Sequence, residues 1–249
     1  MISVIMGVNR YDGYVIRAID SILAQSFKDF EFIIVANGSS CEDIESRILE
    51  IYPDEKRLKI ITSHIAQLAH ALNLGIEIMR YDYIARMDSD DVASSSRLER
   101  QLSYLKENDL DMVGCDLRLI DEVGDYLSTR IYPKGKAINK YLSFKNCFAH
   151  NTVLIKKSTV LMVRGYNAGF NSEDYDLWLR MRRLGVKWDN MNETLVDYRI
   201  HEGSSQRRLL GYAESTALAV REFILNKTLT NLLAVAFHFS KSVLRSRDQ

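Results

Sequence analysis

Tyr83-Ile84-Ala85-Arg86-Met87-Asp88-Ser89-Asp90-Asp91 is an apolar run that ends in three carboxylates within four positions. The apolar run reads as a buried strand, which sets the carboxylates at a strand end. In extended backbone alternate side chains share a face, so Asp88 and Asp90 can converge on one point while Asp91 turns away. Carboxylates crowded in this way need a cation. Hard oxygen ligands suit Mg2+ or Mn2+, ions that commonly hold a diphosphate as well. The competing reading is a capping loop, in which Ser94 to Ser96 lead into a helix at Arg97-Leu98-Glu99. The surrounding sequence decides between the two.

Upstream, strands are predicted at Ile2 to Val8, Phe30 to Val35 and Leu58 to Thr62, with helices at Tyr14 to Gln25, Glu42 to Tyr52 and Gln67 to Met79. Apolar residues such as Val15, Ile19, Ile22 and Leu23 recur at helical spacing between the strands. Alternation of this kind predicts β-α units and a mainly parallel, Rossmann-like half. No GxGxxG follows the first strand, and Gly7-Val8-Asn9-Arg10 does not substitute for it, which argues against a dinucleotide cofactor. Downstream the pattern predicts a helix over Arg97 to Asn108, a strand over Met112 to Ile120 and a hairpin-like excursion from Asp121 to Tyr132 around Gly124-Asp125. A strand at Thr152 to Lys156, a helix opened by Glu173-Asp174-Tyr175-Asp176 and a strand at Thr194 to Arg199 follow. The expected fold is α/β with a mixed central sheet, a domain over 1–204 and a helical C-terminal extension over 205–249.

A chain of 249 residues, 47% hydrophobic, can bury a full core in one mixed domain. Lys plus Arg and Asp plus Glu both number 33, so no global basic field exists to hold nucleic acid. Cys41, Cys115 and Cys147 are widely spaced and lack a CxxC pair, which fits a reducing compartment. The N-terminus lacks a basic n-region and reads as strand one of a cytoplasmic protein. Leu232 to Phe239 is interrupted by His238 and followed by Lys241, too short a run to span a bilayer. Leu225 to Arg247 nevertheless carries a broad apolar face of Leu229, Leu232, Val235, Ala236, Phe239 and Val243, with Lys241, Arg245 and Arg247 near its end. That composition suits a helix lying on an anionic membrane surface, packed on the domain, or packed on a second subunit in a homodimer.

Around the carboxylates stands an ordered series: Ser3 to Met6, Ala18 to Phe27, Phe30 to Ser39, Ala71-Leu72-Asn73-Leu74-Gly75-Ile76, Arg86 to Asp91, His150-Asn151-Thr152-Val153, Glu173 to Trp178 and Tyr198-Arg199-Ile200-His201. Taken together, from about residue 3 to 201, these blocks resemble the inverting family-2 glycosyltransferases of the GT-A fold, many of which build bacterial surface polysaccharides such as O-antigen and capsule. The resemblance implies that Asp90, with Asp88 beside it and His201 arriving from the last block, holds Mn2+ or Mg2+ against the diphosphate of a nucleotide-sugar. It places Val8, Asn9, Asn37, Arg86, Asp88 and Ser89 on that nucleotide-sugar, a UDP-sugar by preference. It makes Asp174 the base that takes the proton of an acceptor hydroxyl, with His150, Glu173, Asp176 and Trp178 on the acceptor side. The implied acceptor is a polyprenyl-diphosphate-linked saccharide at the cytoplasmic face of the inner membrane. The favourable interaction of Glu173 and Asp174 with a helix N-terminus is compatible with this role, since a helix start is a rigid mount for a base.

Two departures bear on the nucleobase. Relatives commonly carry Pro-Val-Tyr-Asn where this chain has Gly7-Val8-Asn9-Arg10, so an aromatic that could stack on the base is lost. They commonly carry Asp-Asp-Gly-Ser where it has Ala36-Asn37-Gly38-Ser39, so a neutral amide replaces the carboxylate expected at uracil N3. The rival enzymatic reading, a nucleotidyltransferase or phosphatase, predicts a phosphate-gripping motif or an Asp nucleophile after strand one, and neither is present. The non-enzymatic rival is a degenerate nucleotide-sugar-binding scaffold, against which Asp88, Asp90 and Asp174 argue.

Overall fold

The structure is a computed structural model and describes residues 1–167, 169, 171–201 and 209–245. Its first half follows the expected alternation of β1 (Ile2–Val8), α1 (Val15–Leu23), β2 (Phe30–Asn37), α2 (Cys41–Ile51), β3 (Leu58–Ser63), α3 (Leu68–Ile78) and β4 (Tyr83–Met87). The second half comprises β5 (Val92–Ala93), α4 (Arg97–Glu107), β6 (Met112–Ile120), β7 (Tyr126–Arg130), α5 (Lys136–Tyr141), a 3-10 turn (His150–Thr152), β8 (Leu154–Lys156), α6 (Lys157–Met162), α7 (Glu173–Arg183), β9 (Trp188–Arg199), α8 (Leu209–Leu225) and α9 (Leu229–Arg245). One mixed sheet runs in the order β3-β2-β1-β4-β8-β6-β9-β5, with β7 paired to β6.

Pairing is parallel from β3 to β4 and turns antiparallel at β8. β1 and β2 are buried almost throughout because helices cover both sheet faces, which is why they read as continuous apolar runs. Alternate residues feed two cores. Val4 and Met6 face α1, α2 and α4, whereas Ile5, Ile33 and Val35 face α3 and α7.

Three features depart from the sequence expectation. The two-residue β5 was not expected; it pairs antiparallel with β9, Val92 against Asp197, and so folds the chain just after the Asp cluster back toward Tyr198 to His201. β9 begins at Trp188 rather than Thr194, and its register on β6 shifts around Cys115 and Asp116. The added stretch pairs with β6 from Met112 to Cys115, and within it the buried Asn190 amide donates to Pro133 O at 2.7 Å and Cys147 O at 2.9 Å, bonds that polarity alone does not announce.

The third departure is at the C-terminus, where the expected Leu225 to Arg247 helix is two helices with a break at 226–228. Asn231 stabilises the break by donating to Glu222 O at 3.2 Å and Asn226 O at 2.8 Å. α9 docks through Asn231, Ala234 and His238, a narrow stripe at helical spacing. The apolar face, including Leu229, Leu232, Leu233, Phe237, Phe239 and Leu244, is exposed, so packing on the domain does not cover it. The boundary between 204 and 205 and the cationic Arg247 lie outside the described residues. No helix among the described residues is long and apolar enough to cross a membrane.

Candidate active site

β4 ends at Met87 between β1 and β8, where parallel pairing gives way to antiparallel. In open α/β sheets ligands bind outside the carboxyl ends of the strands where the strand order reverses, which here is between β1 and β4. Asp88, Asp90 and Asp91 follow directly, with carboxylate oxygens within 4.8 Å of one another. They are not equivalent. Asp91 is fully buried; its Oδ1 accepts the Arg199 amide at 2.9 Å and its Oδ2 accepts the Asn151 side chain, so it ties β9 and the 3-10 turn to the end of β4. Asp88 is half-exposed and pairs with the buried Arg86 guanidinium. Asp90 meets His201, whose Nε2 lies 2.9 Å from Asp90 Oδ2. Ser89 is half-buried in the turn between them.

Electrostatics explains what this cluster asks for. Burial raises the Asp88 carboxyl above its ordinary range; Asp90 adds to the rise, while the Arg86 charge opposes it. Burial lifts Asp91 well above that range too, reinforced by Asp88 and Asp90. One compensating charge lies beneath, in the fully buried Arg97, which donates to Arg86 O at 2.7 Å and Gln101 Oε1 at 3.0 Å. Burial pulls its guanidinium down to about 10. The donor set fits a hard divalent cation: Asp88 and Asp90 offer carboxylate oxygens and His201 an imidazole, whereas Asp91 has both oxygens engaged.

At the neighbouring strand ends Val8 and Asn37 are buried and Asn9 is exposed. Asn37 Nδ2 donates to Ile65 O at 3.3 Å.

Across from Arg86 and Asp88, a cavity of about 530 Å³ is closed by Glu173 and Asp174 in the first turn of α7. Asp174 Oδ1 accepts the Tyr175 amide at 2.6 Å, and Oδ2 accepts Asn146 Nδ2 at 2.5 Å. Burial raises the Asp174 carboxyl, opposed by those two bonds and by Arg86, which leaves a held carboxylate of enhanced basicity. Glu173 is pushed up to about 7, first by burial and then by the charge of Asp174. His150 lines the same cavity, its Nε2 2.8 Å from the Tyr166 hydroxyl, and burial lowers its pKa well below the ordinary imidazole value, so the ring is neutral.

Asp176 and Trp178, expected on the acceptor side, do not line this cavity. The α7 turn that carries Asp174 inward carries Asp176 back toward α8, where it accepts Arg180 Nε at 2.7 Å, Asn167 Nδ2 at 2.8 Å and the Arg221 guanidinium. Trp178 is fully buried against Phe148 and His150.

Sequence reasoning missed Asn146, Arg97 and the part played by the C-terminal helices. Gly211, Tyr212, Ser215, His238 and Lys241 all line the cavity. His238 is buried, its Nε2 3.0 Å from Ser143 O and 3.4 Å from the hydroxyl of Tyr175, the residue next to Asp174. A histidine and a lysine interrupting an apolar helix were the available signal.

The family model described as Glycosyl transferase family 2 matches residues 3–175. The O-antigen biosynthesis glycosyltransferase WbnJ of Escherichia coli is 49% identical over 247 residues, covering 98% of this chain and 97% of that protein. The UDP-Gal:alpha-D-GlcNAc-diphosphoundecaprenol beta-1,3-galactosyltransferase of Escherichia coli is 28% identical over 83% of this chain and 76% of its own length. Among solved structures, Staphylococcus aureus TarS 1-349 in complex with UDP-GlcNAc superposes with a TM-score of 0.72 at 16% identity, over 89% of this chain and 66% of that one. The mannosyltransferase PcManGT of Pyrobaculum calidifontis, in complex with GDP-Man and Mn2+, gives 0.65 at 13% identity over 99% of this chain and 75% of that one. These structures share the fold of this chain.

Proposed function

Because the chain belongs to glycosyl transferase family 2, we propose that it is an inverting, metal-dependent hexosyltransferase that moves a sugar from a UDP-sugar to a polyprenyl-diphosphate-linked saccharide in O-antigen assembly. The observation that carries this reading is the pair of opposed acidic groups: Asp88 beside Arg86 on the strand-end side of one cavity and Asp174 on the other. Asp90, Asp88 and His201 would hold the cation, Mn2+ or Mg2+, which when bound would supply Lewis-acid stabilisation of the leaving diphosphate. Arg86 anchors Asp88. Asn37 reads the uracil edge through its oxygen, with Val8 and Asn9 beside it. Asp174 accepts the proton of the acceptor hydroxyl as its oxygen bonds to the anomeric carbon, while the bond from that carbon to the diphosphate oxygen breaks. A single displacement inverts the centre, so an α-linked donor gives a β-linked product. His150, neutral, and Glu173 shape the acceptor end.

The exposed apolar face of α9 supports association with the cytoplasmic surface of the inner membrane, where a lipid-linked acceptor resides. The test is a panel of nucleotide-sugars with Mn2+ and extracted lipid-linked acceptors. One UDP-sugar should give a β-linked product, and Asp174→Asn should abolish it. Transfer from no nucleotide-sugar in the panel, or an α-linked product from an α-linked donor, would contradict the reading.

A further inference from the structure

We propose that Lys145 and Lys241 form the subsite for the diphosphate of the acceptor, with the lipid chain leaving along the exposed apolar face of α9. The inference rests on the acceptor class proposed above. Lys145 follows α5 and Lys241 lies on α9, and both line the cavity that contains Glu173 and Asp174. Lys241 also sits beside Ala236, Phe237, Ser240 and Leu244 on one open, largely apolar face of α9. The same ammonium therefore stands where a polar, acid-ended cavity meets the exposed apolar face of α9. That order, sugar then diphosphate then hydrocarbon, is the order of groups in a lipid-diphosphate-linked saccharide.

Both lysines are held without being neutralised. Lys145 Nζ lies 4.9 Å from the centroid of Tyr141, and Lys241 Nζ lies 5.3 Å from Tyr212 and 5.9 Å from Phe237. A ring face steadies an ammonium by about 0.5–2 kcal/mol and leaves N–H donors for an anion. Phe144 and Phe237 pack edge to face at 5.8 Å, which brings the Lys145 segment against α9. Lys134, Lys156 and Lys187 are paired with Asp116, Asp111 and Asp109, whereas among the described residues neither Lys145 nor Lys241 makes an ion pair. The charge distribution sets direction: Glu173 and Asp174 disfavour a second diphosphate at their part of the cavity, and the two ammonium groups attract it at theirs.

Binding of farnesyl diphosphate and of farnesol to the full chain, in EDTA so that no cation bridges a diphosphate to Asp90, tests this without any transfer reaction. Farnesyl diphosphate should bind at least about tenfold more tightly, the size expected for hydrogen bonds to a charged group. Lys145→Ala/Lys241→Ala should erase that ratio, Lys145→Ala alone should reduce it, and Lys106→Ala on α4 should keep it. Equal binding of the two probes by the wild-type protein, or a ratio that survives in the double variant with an unchanged circular dichroism spectrum, overturns the subsite. If the double variant unfolds, the ratio for Lys145→Ala, an exposed side chain, decides in the same sense. Loss of the subsite leaves UDP-sugar hydrolysis to judge the transferase reading separately.

Discussion

The two walls of the cavity are built in different ways. The strand-end wall is made from neighbours in sequence: Arg86 and Asp88 line it at the end of one strand held by β1 and β8, and Asp90 follows two residues on. The opposite wall is assembled from segments far apart in the chain, with Asp174 from α7, Asn146 from the segment after α5, and His238 and Lys241 from α9. The sheet fixes the first wall through backbone bonds, parallel to β1 and antiparallel to β8, whereas the second depends on side-chain hydrogen bonds from α7 and α9 to the segment after α5. On the function proposed above, nucleotide binding would draw on the sheet, and acceptor recognition on the extension.

Asp90→Ala should give the largest effect, since it removes a cation ligand from the strand-end wall. We expect UDP binding to lose its dependence on Mn2+ and turnover to fall about a thousandfold. Calorimetry with and without Mn2+ reads the first and a UDP-release assay the second; an unchanged affinity returns the Asp cluster to a capping role.

The helical wall should break by packing rather than by chemistry. Asp176→Ala leaves Arg180 and Arg221 facing each other without their shared carboxylate, and we expect a loss of about 3 kcal/mol in urea denaturation. A variant as stable as the wild type would show that α7 and α8 are not joined there.

Asn146→Ala removes one of the two bonds that hold Asp174 and that oppose the rise of its carboxyl pKa. The acid limb of the pH–rate profile should move to higher pH, and kcat should fall about tenfold as the carboxylate loses its position. A profile that scales down without moving would assign Asn146 to packing alone.

The smallest effect concerns Glu173, which burial and the charge of Asp174 push up to about 7. A carboxyl raised in the folded state contributes stability below its unfolded pKa and loses it as pH rises through the folded value. Glu173→Gln should therefore melt a few degrees higher than wild type at about pH 8 and no higher at about pH 4. Equal melting temperatures at both pH values would place Glu173 in water.

The difference between the walls also explains what the sequence disclosed. Tyr83 to Asp91 shows both a strand and its chemistry, because period-2 geometry and a local cluster of charge are written in adjacent residues. Glu173-Asp174 was legible as the start of a helix. Asn146 was not, since nothing local distinguishes an asparagine that will meet a carboxylate on a helix 28 positions away. How α9 docks was not legible for a physical reason: its apolar periodicity points outward, and it docks through Asn231, Ala234 and His238, whose polar members carry directed bonds that hydropathy does not weigh. β5 was too short to carry a pattern.

The central claim is that binding and chemistry occupy opposite walls, and Asp174→Asn separates them most directly. UDP affinity by calorimetry and transfer to the lipid-linked acceptor are measured on the same preparation. The account predicts UDP affinity within about twofold of wild type and transfer lower by about a thousandfold or more, because the amide keeps the shape and loses the proton acceptor. Transfer retained at most of the wild-type rate would remove Asp174 as the base and contradict the account.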